Sequence, residues 1–385
     1  MTKKKICIVA TVPFAIIVFM REHIAKLSQF YEITLISSGD ESELIGVLND
    51  RVKFISVNIE RRVSILSDIL AFYSLVRVFY VQRFDCVHSL MPKSALLAML
   101  AARLVNTPRR VHIFTGQVWS TKTGLAKLAL KWLDRLLSAC ATHLLADSPS
   151  QRDFLIAEKI AKPGKIEVLG EGSISGVDIN RFKMNEVERL NIRKKFGIAE
   201  NEVAFLYLAR LTRAKGIVDL VEAFVGIAST MPDAHLIVIG PDEEGLLSKL
   251  QESWSAFKDR IHRLEYTHQP ENYMSAADVF CLPSYREGFS LATIQAAGVG
   301  LPAIVSRIYG LTDAVQSGVT GIFHEAGKIA QIQAALKLLY ADTNLRKKMG
   351  EAAQRRAYEN FSQDLVVEEM RLFYERILAP RSAIK

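Results

Sequence analysis

Short apolar runs alternate with longer amphipathic ones along almost the whole chain, and this alternation restricts the fold more than any other feature. Apolar runs predict strands at 4–10, 32–37, 53–59, 86–90, 110–114 and 143–147. Helical periodicity fills 14–30, 64–83, 93–104 and 125–141 between them. Strands alternating with helices of this length imply a parallel sheet covered on both faces. The pattern breaks at 181–202, where ten of 22 residues are charged, and then restarts. Strands are expected at 203–209, 235–240, 279–283 and 303–306, with a helix at 216–229. Near the end, Leu365, Val366, Met370, Phe373 and Ile377 recur at helical spacing behind Ser362, a candidate N-cap. The charged stretch marks the boundary between two Rossmann-like α/β domains. In such sheets ligands sit beyond the carboxyl ends of the strands, and a crevice between two domains is the default active site.

A chain of 385 residues that is 50% hydrophobic and 23% charged is globular, not disordered. Its four cysteines (Cys7, Cys86, Cys140 and Cys281) are scattered through apolar runs, which fits a reducing cytosol and argues against a zinc knuckle or a disulfide scaffold. No signal peptide is expected, because Arg21 and Glu22 break the first apolar run. No uncharged apolar stretch reaches about 18 residues, so no transmembrane helix is expected. The net charge of +8 is uneven: residues 1–180 hold 23 Lys/Arg against 16 Asp/Glu, and 181–385 hold 26 against 25. The basic excess therefore lies in the first half, where a phosphorylated substrate or an anionic lipid surface can exploit it. Solubility alone is the plainer account.

Two segments carry chemistry. In 283–298 (PSYREGFSLATIQAAG) a strand ends in a polar turn and a helix starts near Leu291. Backbone N–H groups from Gly288 through Phe289 and Ser290 to Leu291 form a cradle for phosphate, and Gly288 admits a ligand close to the backbone. Glu287 stands just before the helix, placed to accept hydrogen bonds from sugar hydroxyls, and Gln295 follows two turns later on a similar side. In 208–216 (LARLTRAKG), Arg210 ends a strand and Lys215 opens the next helix. An arginine fork plus a lysine point charge suits a diphosphate whose charge grows as it departs. A capping glutamate and two solvated cations are the plainer alternatives.

These segments together resemble the retaining glycosyltransferases of family 4. The resemblance is carried by Arg210 to Gly216, by YMSAAD at 273–278, by SYREGF at 284–289 with the AAGVGLPAIVS that follows, and by GLTDAVQSGVTGIF at 310–323. VHSLMPKSALLAMLAAR, RRVHIFTG and ADSPSQRDFL in the first half match in type. VLGEGSISGVDINRF at 168–182 is similar to the linker of the subgroup that builds lipid-linked surface polysaccharides. The resemblance implies the α/β fold named GT-B: two facing Rossmann-like domains with a cleft between them and a C-terminal helix returning to the first. That places an acceptor-side domain at 1–180, a nucleotide-sugar domain at 181–361 and the returning helix at 362–385. It also implies that Arg210 and Lys215 bind the donor diphosphate, that Glu287 meets the sugar, and that Gln295 holds the ribose position. There the family has glutamate, so this chain loses charge-assisted bonds.

The first half departs from the family as well. The loop after the first strand, 11–14, has no glycine, and Thr115 precedes Gly116 where a histidine is usual. His112 lies three positions earlier, which reverses its facing on a strand. His88, Lys93, His112 and Thr115 are the acceptor-side candidates. The mechanism implied is retaining transfer of a hexosyl or N-acetylhexosaminyl group. The donor is a uridine-diphosphate sugar, with guanosine as the alternative, used as cosubstrate with no cofactor. The chain has no Asp-x-Asp motif, and neither His nor Cys spacing suggests a metal site, so a metal-independent reaction is expected. The helices at 64–83 and 124–141 combine basic and apolar residues, which suits a peripheral enzyme on the cytoplasmic membrane face, and the acceptor expected is a lipid-linked oligosaccharide or a saccharide. A core helix with a wet face is the alternative. A sugar-nucleotide epimerase, a glycan phosphorylase and a non-catalytic sugar-nucleotide-binding or scaffold subunit are the competing functions. Nucleic-acid binding is not expected, because no motif matches the charge.

Overall fold

The computed structural model describes residues 3–380 apart from 61 and 63. The chain divides into two compact units, one of residues 1–175 with 363–385 and the other of 176–362.

The first unit runs β1 (Lys5–Val9), α1 (Pro13–Leu27), β2 (Glu32–Ser37), β3 (Val52–Ser56), α2 (Ile65–Gln82), β4 (Cys86–Ser89), α3 (Pro92–Leu104), β5 (Arg109–Phe114), α4 (Gly124–Cys140), β6 (His143–Ala146), α5 (Pro149–Ala157) and β7 (Ile166–Val168). The strands form one parallel sheet in the order β3-β2-β1-β4-β5-β6-β7. Both faces are buried, as a parallel sheet requires, and β1 displays this with period two. Its Ile6 and Ile8 join one core, and its Cys7 and Val9 join the other. Helices α2, α3, α4 and α5 cover the Cys7 face, while α1 covers the Ile6 face.

The second unit runs α6 (Glu186–Phe196), β8 (Val203–Leu208), α7 (Ile217–Ile227), β9 (Ala234–Ile239), α8 (Leu247–Ser253), β10 (Ile261–Leu264), α9 (Pro270–Ala276), β11 (Val279–Leu282), α10 (Leu291–Val299), β12 (Ala303–Ser306), α11 (Leu311–Ala314), β13 (Gly321–His324), α12 (Ile329–Ala341) and α13 (Thr343–Phe361). Its strand order is β10-β9-β8-β11-β12-β13, again all parallel. The charged stretch at 181–202 is no loose linker: α6 lies within it and packs on α9. Arg193 of α6 is buried and bonds Asp278 at 3.2 Å and the carbonyls of Ala276, Ala199 and Glu202. Asp278 in turn accepts from Arg189 and from the Ala204 amide.

The last helix, α14 (Gln363–Leu378), belongs to the first unit. Its Met370, Phe373, Tyr374 and Ile377 enter the core under α1. Arg109 Nε donates to the Ile377 carbonyl at 2.5 Å, and Arg376 pairs with Glu167 at 2.6 Å. Ser362 precedes α14 and is bridged to Val177.

All four cysteines are buried and unpaired. Despite Asp68 and Arg77, α2 is long and apolar enough to cross a membrane by length and composition, although little of it is buried in the protein.

Candidate active site

In each sheet the chain reverses its lateral progress once, between β1 and β4 in the first and between β8 and β11 in the second. Such switch points open a crevice at the carboxyl ends of the strands, because successive connections leave on opposite faces. The donor-side residues singled out in the sequence gather at the second of these points.

In the second unit, Arg210 leaves β8 and Glu287 follows β11, its neighbour in the sheet. Lys215 lies in a single 3₁₀ turn, Arg213–Lys215, that leads into α7. Its Nζ sits 2.6 Å from Glu287 Oε1, which also accepts from Ser284 Oγ at 2.7 Å. Glu287 is buried (8% exposed), so its carboxylate is held in place by a cation and a hydroxyl. Arg210 is more open and pairs with Glu243 at 2.6 Å, beyond β9. Tyr207 of β8 donates to the Arg210 carbonyl at 2.8 Å, and burial followed by the Glu287 charge holds the Tyr207 phenol well above its usual range.

Two glycines explain why these loops come so close. Gly216 has φ +72°, and a Cβ there would lie 2.6 Å from the Pro283 carbonyl carbon. The Tyr285 amide bonds the Ala214 carbonyl at 2.9 Å beside it, so the Arg210–Gly216 loop is stitched to the Pro283–Glu287 loop by backbone. Gly310, at φ +82°, brings the turn after β12 against the carbonyls of Glu287 and Gly288. Tyr285 donates to Asp219 of α7 at 2.6 Å; burial and this bond push its hydroxyl up to about 12.

Helix α10 begins at Leu291 with Ser290 as its N-cap, whose Oγ accepts from the Thr293 amide at 3.3 Å. The helix start therefore presents backbone donors at the same sheet edge as Lys215 and Arg210. Phe289 packs against Phe361 with the rings tilted at 56° and their centroids 5.2 Å apart, which fixes the entry to the turn. Gln295 is half-buried on α10, in the turn after the N-cap turn. The structure thus brings Arg210, Lys215, Glu287, Gly288, Phe289, Ser290 and Leu291 to one edge, with Gln295 behind them on α10. Sequence reasoning missed Ser284, Glu243 and Gly310. Ser284 was visible as a polar residue three places before Glu287. Glu243 and Gly310 carried only the weaker signal of lying just beyond strands of the same sheet.

In the first unit the four candidates separate. His88 and Ser89 alternate on β4, and Ser89 pairs laterally with His112, so the two histidines point to opposite faces. His88 Nδ1 meets Tyr374 Oη of α14 at 2.6 Å, and burial pushes the imidazole down to about 3. Lys93 is turned toward α2, 2.6 Å from Asp68, and donates to the Arg62 carbonyl. His112 Nδ1 lies 3.0 Å from Ser89 Oγ, and burial pushes this imidazole to about 3 as well. His112 and Thr115 share a small cavity of about 90 Å³ with Trp119 and Asp134. Asp134 accepts from Trp119 Nε1 at 2.7 Å, and burial raises it to about 6. Among the described residues, no three His, Cys, Asp or Glu side chains are grouped as metal ligands.

Residues 18–172 match the glycosyl transferase 4-like domain family, and residues 188–356 match glycosyl transferases group 1. The chain is 27% identical over 346 residues to the capsular polysaccharide biosynthesis glycosyltransferase CapM of Staphylococcus aureus, covering 89% of this chain and 90% of that protein. It is 29% identical over 307 residues to UDP-Gal:alpha-D-GlcNAc-diphosphoundecaprenol alpha-1,3-galactosyltransferase of Escherichia coli, covering 78% and 77%. Among solved structures, Anabaena Alr3699/HepE in complex with UDP and glucose superposes with a TM-score of 0.81 at 16% identity over 97% of this chain and 99% of that one. A glycosyltransferase from Rickettsia africae superposes with a TM-score of 0.78 at 18% identity over 98% and 99%. These likenesses, spanning both units, show the fold to be GT-B.

Proposed function

We propose that this chain, whose two halves match the glycosyl transferase 4-like domain and glycosyl transferases group 1, moves a hexosyl or N-acetylhexosaminyl group, with retention, from a uridine-diphosphate sugar to a lipid-linked or saccharide acceptor in surface polysaccharide synthesis. The observation that carries the reading is the convergence of Arg210, Lys215, Glu287 and the start of α10 at the switch point between β8 and β11. The relatives in capsule assembly and in galactosyl transfer to a diphosphoundecaprenol-linked sugar support the acceptor class.

In this reading the donor diphosphate lies against Arg210, Lys215 and the backbone donors that begin at Gly288. These groups take up charge as the sugar–phosphate bond loosens, and because they are fixed beforehand they cost little reorganisation. Glu287, locked by Lys215 and Ser284, holds sugar hydroxyls and sets the orientation of the ring. The acceptor hydroxyl enters on the face the leaving group vacates, and its proton passes to the departing phosphate oxygen, so no strong protein base is needed. The His112 imidazole, held near 3, stays neutral and is no proton store at neutral pH. Two cations and a helix start supply the positive charge a metal would otherwise bring, and no resident cofactor is needed. The partners are then the donor, the acceptor and an anionic membrane surface at the cytoplasmic face, with no nucleic acid.

Calorimetric titration with UDP, GDP and their sugars tests this reading, with Arg210→Ala and Glu287→Gln alongside. Saturable binding of one nucleotide, weakened by Arg210→Ala, is expected. Glu287→Gln should keep nucleotide binding and lose transfer. A folded protein that binds no nucleotide would overturn the donor site, and one that binds nucleotide but glycosylates no acceptor would favour the scaffold function.

A further inference from the structure

The outer face of α2 does not look like that of a helix bathed in water. Seven large apolar or aromatic side chains on its 18 residues are exposed, among them Leu66 (78%), Leu70 and Tyr73. Arg77 is the only charge at its exposed positions. Helix α4 repeats the pattern: Leu125 (84%), Leu128 and Trp132 stand exposed, with Arg135 as the only charge beside them. Each helix has one carboxylate, and both are turned inward, Asp68 to Lys93 and Asp134 to the Trp119 indole. Both helices flank α3 in the same layer, so their outer faces lie on one side of the unit. An apolar surface of this extent marks an interaction site, not ordinary solvation.

We propose that α2 and α4 together form the surface by which this protein lies on an anionic bilayer, with α2 in the membrane plane. The inference deepens the proposed function, on which it rests for the lipid-linked acceptor. Charge chooses the occupant. The exposed positions of both helices carry cations and no carboxylate, and exposed Arg62, Arg83 and Lys122 stand at their ends. A second copy docked through the same face about a twofold axis would set these like charges against themselves. An anionic lipid surface neutralises them, and Tyr73, Tyr80 and Trp132 bring the apolar bodies and polar tips suited to the headgroup level.

Helix α2 has the length to span a membrane, yet its topology forbids it. It runs between β3 and β4, strands of one sheet, so both its ends are held on the same side. Its Ala71, Leu75 and Phe79 are committed to the core with α3. The helix therefore presents one apolar side to the bilayer and keeps the other in the protein.

Vesicle flotation tests the proposal. Full-length protein is mixed with vesicles of phosphatidylcholine alone and of equal parts phosphatidylcholine and phosphatidylglycerol. Wild type should float with the anionic vesicles at low salt and far less with the neutral ones. Leu66→Ser/Leu70→Ser/Tyr73→Ser and, separately, Leu128→Ser/Trp132→Ser should each lower partitioning at least about tenfold, since binding scales with apolar area inserted. Unchanged melting temperature and UDP affinity would show that the variants are folded. Failure of wild type to float, or variants that float like it, overturns the proposal. A concentration-dependent dimer in sedimentation velocity, dissolved by the same substitutions, would assign the face to a second copy instead. Vesicle binding without nucleotide binding would leave this surface standing and overturn the donor reading alone.

Discussion

The tightest backbone approach in the candidate site lies at Gly216, and replacing it with alanine should separate the two loops that hold Lys215 and Glu287. Two costs add. An L-residue at φ +72° is strained by about 1–2 kcal/mol. The new Cβ would meet Pro283 backbone, 2.6 Å from its carbonyl carbon, and backbone cannot rotate aside. Overpacking of that kind costs about 1–3 kcal/mol. The sum is about 2–5 kcal/mol, which for a unit of this size lowers the melting temperature by roughly 5–15 °C. Gly245 supplies the control: its φ is +67° and a Cβ added there would meet nothing within 4 Å, so Gly245→Ala reports the backbone strain alone. Differential scanning calorimetry of the two variants isolates the clash by difference. UDP affinity should fall at least about tenfold in Gly216→Ala, because charges displaced by an ångström no longer converge, and stay at the wild-type value in Gly245→Ala. A Gly216→Ala protein that melts with or above Gly245→Ala would refute the claim that backbone contact locks these loops.

Arg193→Met should destabilise the second unit by about 3–5 kcal/mol in urea unfolding, since it leaves the half-buried Asp278 without its deepest cation and three carbonyls without a donor. The first unit should lose stability as pH falls: burial holds His23 at about 4 and both His88 and His112 at about 3, so the unfolded chain binds more protons between those values and about 6.5. Their contribution is complete above about 6.5 and is lost toward pH 4, while buried Asp147 and Asp134, both raised, act in the opposite sense. Near-ultraviolet circular dichroism against pH would reveal the sign. Gln295→Glu restores a charge-assisted partner for ribose hydroxyls and should tighten UDP binding by about tenfold, read by calorimetry.

The interior of each sheet was legible in the sequence and its margins were not. Strands with both faces buried, such as KICIV and AHLIVI, are apolar at all but one position. The strands that went unread were β7, β10 and β13, all of them sheet edges. An edge strand of three or four residues with one half-wet face, such as IHRL, has neither the length nor the continuity that marks a strand. The donor-side residues were readable because a switch point puts chemistry beside glycine and a helix start. The pairing of Arg210 with Glu243 was not, since 33 residues and a whole strand–turn excursion separate them. His88 and His112 looked alike in sequence. Only the lateral register, which sets Ser89 beside His112, assigns them to different faces.

The return of α14 to the first unit sets an order of events during synthesis. The second unit holds all its own strands and helices by residue 362 and needs none of the later residues to close. The first unit cannot close then, because Met370, Phe373 and Tyr374, which seal the core around His88, come last. The segment made first is therefore finished last, and until then the apolar underside of α1 waits uncovered. A chain ended after residue 362 would carry a complete second unit and an open first one, the natural substrate for a chaperone.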